Sequence, residues 1–170
     1  MIKKISYSWT LLAACAWVGG MWTTGYLVTP VLFKTLEDRQ LAGMLAGKFF
    51  ALSADVGIVC ALYLLVYYFI AGGKQAFSYR VVWVVASMLL LTLIGSFVIQ
   101  PMMADLKLQA LPAEVMQSAF AGQFRILHGV ASINYLVQSL LGILLILKVN
   151  EIKLNEPEIK VNEPEINGQR

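Results

Sequence analysis

Charge is what this sequence has least of. Only 14% of its 170 residues are Asp, Glu, Lys or Arg, against about a quarter in an ordinary soluble domain. It has one histidine, His128, and two cysteines, Cys15 and Cys60. No HExxH, GxSxG or GxxxxGKS/T pattern occurs, and no pair of acids falls within its apolar runs. The expectation is a protein that is not an enzyme and carries no resident cofactor. Its 13 basic and 10 acidic residues, net +3, are scattered, with no basic run interleaved with aromatics of the kind that tracks a phosphate backbone. Nucleic acid is therefore not an expected partner. Both cysteines sit in apolar stretches and match no metal spacing; they read as small buried hydrophobes.

What is present is oil. Hydrophobic residues make up 59% of the chain and mean hydropathy is +0.72. Four stretches are apolar and nearly free of charge: 8–33, 50–71, 81–103 and 128–147. Each is near the roughly 20 residues that cross ~30 Å of hydrocarbon. The expected fold is all-α, a membrane four-helix bundle with antiparallel neighbours, with the lipid bilayer as its first partner. Residues 1–147 form the four-span domain. Lys3 and Lys4 followed by Leu12-Ala13-Ala14-Cys15 imitate a lipoprotein signal, but the apolar run continues to Phe33 where a signal would end. The first helix is expected to be retained.

Thr35-Leu36-Glu37-Asp38 carries a helix-start signature, so a helix is expected from Leu36 that runs unbroken to Gly72-Gly73, longer than the bilayer core is thick. Leu111-Pro112-Ala113-Glu114 repeats the device, and its helix is expected to run to about Leu147. An offset of 75 places Leu45-Ala46-Gly47-Lys48-Phe49 over Phe120-Ala121-Gly122-Gln123-Phe124 and Gly20 over Gly95. This is the pattern of a parallel duplication about an axis normal to the membrane. Lys3, Lys4, Lys74, Arg80, Lys148 and Lys153 fall on the side of the termini, against Lys34, Arg39, Lys48, Lys107 and Arg125 opposite, which by the positive-inside rule points to cytoplasmic termini. Residues 148–170 contain KLNEPEI followed by KVNEPEI; Pro157 and Pro164 and the alternating charge predict a disordered, repetitive tail.

The first span places Ala13, Ala16, Gly19, Gly20, Thr23 and Pro30 on one side, flanked by Trp17 and Trp22. Lipid tails supply no hydrophobic drive for helix association, so small residues that let backbones approach are expected to form the contact seam. The alternative is a gap that admits a ligand between the indoles. In the fourth span Ile126, Val130, Ile133, Val137, Leu140 and Leu144 form a branched apolar stripe. Arg125, His128, Ser132, Tyr135 and Ser139 lie opposite and are expected to face the bundle. Asn134 and Gln138 stand beside them, able to bond across helices.

Pro30, Asp55, Gln100, Met102, Met103, Arg125 and His128 all fall in the leaflet of the two longer loops. Ionisable groups at membrane depth are costly and are functional candidates by default. Asp55, the sole acid in the spans, is expected to pair with Arg125, because pairing offsets much of the cost of burying either charge. His128 with Met102 or Met103 offers the histidine and thioether donors that haem iron or copper accepts, although a lone imidazole by itself fits a packing residue equally.

Trp17-Val18-Gly19-Gly20, Pro30-Val31-Leu32-Phe33, Asp38-Arg39 with Leu41-Ala42-Gly43, Gln100-Pro101, Ala110-Leu111-Pro112-Ala113-Glu114-Val115-Met116 and Phe124-Arg125-Ile126-Leu127-His128-Gly129 occur in this order. Together, over residues 9–147, they resemble a proteobacterial family of small four-span membrane proteins, domain of unknown function four-one-four-nine. A looser likeness is to the eukaryotic transmembrane protein two-hundred-and-five group. The resemblance implies a bacterial inner-membrane location and a four-helix fold, with no established activity; it places the family's histidine at His128, its glycine pair at Gly19 and Gly20 and its proline at Pro30. The leading expectation for function is an accessory, scaffold or assembly subunit that meets other membrane proteins or itself. The rivals are a small-solute transporter entered by the polar leaflet, and a haem or copper protein using His128.

Overall fold

The computed structural model describes residues 2–111 and 113–154, with side chains over 8–111 and 113–149. Pro112 and the tail from residue 155 onward, with its Pro157 and Pro164, lie outside the described residues. The chain forms α1 (Ile2–Trp22), a π-helical segment (Thr23–Val28), α2 (Thr29–Thr35), α3 (Arg39–Gly72), a 3-10 segment (Gly73–Ser78), α4 (Arg80–Ile94), a second π-helical segment (Gly95–Ile99), α5 (Gln100–Ala110), a short 3-10 turn (Val115–Gln117) and α6 (Ala121–Leu154). Four continuous helical stretches, Ser8–Thr35, Arg39–Ser78, Arg80–Ala110 and Ala121–Val149, are long and apolar enough to cross a membrane. The all-α four-helix membrane fold is thus the observed one.

The first and third spans are each interrupted by a π-helical segment directly before a proline, and the same physics explains both. Pro30 and Pro101 have no amide hydrogen, and a proline ring inside a helix collides with the carbonyl four residues back. The chain inserts a wider turn just ahead of each ring: Thr29 N–H bonds the carbonyl of Thr24, and Gln100 N–H bonds that of Gly95. The α-helix then restarts with proline in its first turn, where the missing donor costs nothing.

The second and fourth spans have no such break. α3 and α6 are each 34 residues long, about 51 Å at 1.5 Å per residue, and so extend beyond the hydrocarbon. Their starts differ from expectation. Leu36 is extended (φ −91°, ψ 126°), and α3 begins at Arg39 because the Asp38 carboxylate accepts from Gln40 N–H at 2.8 Å and Leu41 N–H at 3.0 Å, capping orphan donors. α6 begins at Ala121, not near Pro112. Ser118 Oγ donates to the Val115 carbonyl at 2.8 Å and accepts from Phe120 N–H at 3.1 Å, closing the 3-10 turn first. Gly73, at φ 51°, ends α3 where the glycine pair predicts it. α6 continues past Leu147 to Leu154, so helix occupies the first residues of the segment read as tail.

The spans form a ring. α1 lies against α3 and α6, and α4 lies against the same two helices. Each half of the chain is a span interrupted by a π-helical segment, a turn and a 34-residue helix, the arrangement a parallel duplication produces. A uniform offset of 75 is nevertheless not its register. The prolines are 101 − 30 = 71 residues apart and the long helices start 121 − 39 = 82 residues apart, because the second connection is longer than the first.

The sealed core sits at the end of the bundle that bears the termini. Ala14, Trp17 and Val18 meet Ala61, Leu64 and Tyr68 of α3, Val81, Val82, Val85 and Met88 of α4, and Leu145 and Val149 of α6. Gly57 is what lets α1 and α3 close here: a Cβ on it would stand 2.8 Å from Trp17 Cδ1, inside the indole. Aromatic rings gird this end. Tyr68 and Tyr79 lie edge to face at 6.5 Å, and Trp83 Nε1 donates to the Phe77 carbonyl at 2.9 Å, as in an interfacial belt where amphipathic rings sit at headgroup level.

Candidate functional site: a spent interior and an unpaired exterior

Below the apolar core the bundle turns polar, and α6 supplies most of the groups. Its outward stripe is as expected: Ile126, Val130, Ile133, Val137, Leu140 and Leu144 are all exposed. The opposite face divides. Tyr135 and Ser139 turn inward, whereas Arg125, His128 and Ser132 are exposed. Asn134 and Gln138 bond across helices as their placement predicts.

These bonds converge on the two π-helical segments. The Tyr135 hydroxyl donates to the carbonyl of Met21, just ahead of the first. Asn134 Nδ2 donates to the carbonyl of Leu91, just ahead of the second, at 3.3 Å. Side chains of a neighbouring helix thus tie down the backbone beside both irregular turns; the Leu91 carbonyl accepts from Asn134 in addition to its helical partner, the Gly95 N–H. Gly25 makes the first contact possible, since a Cβ there would overlap the Tyr135 ring. Around it Tyr26 donates to Ser139 Oγ at 3.0 Å and Phe50 of α3 meets Tyr135 edge to face at 5.4 Å. Beside Asn134, Thr92 Oγ1 lies 2.9 Å from Gln138 Oε1 and 2.9 Å from the Met88 carbonyl. Among the described residues no buried side-chain nitrogen or oxygen lacks a partner.

Nearer the loops Lys107 closes the ring. α5 carries it half-buried, its ammonium 3.5 Å from the Gly43 carbonyl of α3 and 5.6 Å from the centre of the Phe124 ring of α6. Phe124 in turn stacks on His128 at 6.0 Å and 13°. In the sequence Lys107 reads only as a charge on the loop side; the continuation of α5 to Ala110 is what brings it against α3 and α6.

The other candidates are dispersed. Trp17 is buried against Gly57, while Trp22 is 38% exposed. Gly19 and Gly20 are exposed, with nothing within 4 Å of a built Cβ. The expected contact seam is therefore rotated: the first span buries Thr10, Ala14, Trp17, Val18, Met21 and Thr24, and Cys15, Ala16, Gly19, Gly20 and Thr23 face out. The glycine pair is not what brings these helices together, and Cys15 is not buried. Pro30 is exposed at the start of α2, and Gln100 is half-buried at the start of α5.

Asp55 is exposed on α3 and Arg125 is exposed on α6. Among the described residues no salt bridge joins them, so the expected structural pair does not form. Met103 is buried, and Met102 opens onto an outer groove of about 430 Å³ with Asp105, Leu106, Gln123, Ile126 and Leu127. Among the described residues no three of His, Cys, Asp and Glu gather as metal ligands.

Comparison with known proteins adds one match. The model of a domain of unknown function, DUF4149, fits residues 12–112, from α1 through both π-helical segments to the end of α5. The match ends before Phe124–Gly129, so the family placement of His128 rests on the motif resemblance alone. No curated protein matches the chain, and no solved structure does. With 112 − 12 + 1 = 101 of its 170 residues inside that model, the chain belongs to the DUF4149 family of domains of unknown function.

Proposed function

We propose that the protein is a non-enzymatic accessory or assembly subunit of a larger system in a bacterial inner membrane, with its termini in the cytoplasm. The observation that carries this reading is the division of its polar groups. Inside the bundle, Thr92, Asn134, Tyr135, Gln138 and Ser139 are engaged with one another, with backbone carbonyls or with Tyr26 at the bundle's edge, so the interior is occupied with holding helices together. The groups left without such use, the open glycine pair and the Asp55 carboxylate, are on the outside. A bundle built to conduct a solute needs the reverse. Partner helices associate through small residues and polar contacts of this kind.

The test is gentle detergent extraction followed by native sizing, an absorption spectrum and identification of co-purifying proteins on one sample. The expected outcome is a particle larger than the free chain, with a membrane protein enriched over a control four-span protein. A free monomer with nothing enriched overturns the reading. A haem or copper spectrum abolished by His128→Ala replaces it with the metal-binding one.

A further inference from the structure

We propose that the outer face of α3 around Asp55 docks a transmembrane helix of another membrane protein that carries a lysine or arginine at matching depth. This rests on the subunit reading and names the chemistry of its partner.

Depth comes first. Asp55 stands 72 − 55 = 17 residues from the end of α3 at Gly72, about 26 Å along the axis at 1.5 Å per residue. Measured from Tyr68 in the aromatic girdle it is 13 residues in, about 20 Å. Both distances fall within a ~30 Å hydrocarbon layer. Two interior contacts bracket the same level, Gly57 against Trp17 on one side and Phe50 against Tyr135 on the other.

The surroundings come second. Leu52, Val56, Val59, Leu62 and Val66 are 48–67% exposed on the same face, an ordinary lipid-facing stripe with one carboxylate set into it. Asp55 forms no hydrogen bond or ion pair among the described residues. A carboxylate facing hydrocarbon is costly, and aspartate is too short to reach the headgroups as lysine does. The cost falls if something on this face brings an opposite charge.

The occupant follows from the sign. A second copy would most simply associate about a two-fold axis along the membrane normal, setting like carboxylate against like. The chain has no lysine or arginine within its four apolar stretches; its exposed Arg125 and His128 stand at the start of the fourth, on α6, and an α3-to-α3 pairing leaves them away from Asp55. Charge complementarity therefore points to a different protein with a basic residue in its span.

The full-length chain, with a photo-reactive residue in place of Val59, is reconstituted in phosphatidylcholine vesicles with synthetic polyleucine transmembrane peptides. One peptide carries a lysine at the depth of Asp55 and the other carries leucine there. The lysine peptide should be captured at about ten-fold lower concentration than the leucine peptide, as a membrane ion pair against an apolar contact implies. Asp55→Leu should erase the difference, and Asp55→Lys should transfer the preference to a glutamate peptide, which keeps the test decisive if one variant folds poorly. Equal capture of both peptides, or a preference that survives Asp55→Leu, overturns the proposal. So does a chain-to-chain crosslink that forms in place of peptide capture and persists in Asp55→Leu, which would make a second copy the occupant. If the lysine preference fails while the native particle stays larger than the free chain, only this inference falls. If the native particle is a free monomer, the subunit reading falls as well.

Discussion

Trp17, Leu64, Val85, Met88 and Leu145 meet in the half of the bundle near the termini, each at most 2% exposed. In the half near the longer loops the helices are joined by Tyr135 on a carbonyl, by Asn134 on another, and by Lys107 between Gly43 and Phe124. The two halves are built on different forces. In lipid the first gains from dispersion between closely fitted apolar atoms, each contact small and many together large. The second gains from polar groups that would be poorly satisfied anywhere else in hydrocarbon. The π-helical segments lie at the boundary and belong to the second half, because the carbonyls bonded by α6 are the ones beside them.

The sharpest way to break this comparison is at Gly57. Leucine there must displace the Trp17 indole and force α1 from α3, and overpacking a filled core costs about 1–3 kcal/mol or more. Gly57→Leu should abolish the folded monomer in detergent or lower its unfolding midpoint by the largest amount of any change considered. Thermal unfolding followed by tryptophan fluorescence reads both. A midpoint close to the parent's would mean that the terminal half is not tightly packed.

Tyr135→Phe probes the other half with a single oxygen removed. The ring still fills the space under Gly25 and still meets Phe50, so the loss is confined to the hydroxyl's contacts with the Met21 carbonyl and the Gly25 backbone. Interhelical hydrogen bonds in membranes measure about 0.6 kcal/mol on average and rarely exceed ~1.7; a drop in stability within that range is expected. Lys107→Met should cost a comparable amount with a lower ceiling, about 0.5–1 kcal/mol, the scale of a cation over an aromatic face at a partly wet site. The loss should shrink further in high salt if the carbonyl contact contributes, and stability of both variants can be read by the same unfolding assay.

Much of this architecture is written in runs and periods. Four nearly charge-free stretches announce four helices, and Gly72-Gly73 marks the end of α3. The lipid-facing side of α6 shows because polar Asn134, Tyr135, Gln138 and Ser139 share the other side. The rotation of α1 is not legible in the same way. In a membrane both faces of a span are apolar, so hydropathy does not distinguish lipid from core, and a small residue suits either. What turns Trp17 inward is the hollow at Gly57 on a different helix, a complementarity that no single segment displays. The π-helical segments had a signal in Pro30 and Pro101, but a proline announces a disturbance without saying whether the helix kinks or widens. The charge of Asp55 marks it as a candidate but does not fix its partner: the expected pairing with Arg125 fails because the two stand exposed on different helices, α3 and α6.

The smallest expected effect sharpens the comparison most. Gly20→Leu adds the same side chain as Gly57→Leu, to a helix that also touches α3, yet a Cβ at Gly20 has nothing within 4 Å to meet. Replacing glycine within a helix even gains up to about 1 kcal/mol of propensity. The purified monomer should therefore be unchanged or slightly more stable, with a shift within ~0.5 kcal/mol of zero or upward. A destabilisation comparable to that of Gly57→Leu would mean that the pair is packed against its own bundle and that α1 has been assigned the wrong face. If instead the monomer is untouched while the native particle becomes smaller, the energy lost lies between proteins rather than within one, where an exposed stripe of small residues in lipid has its use.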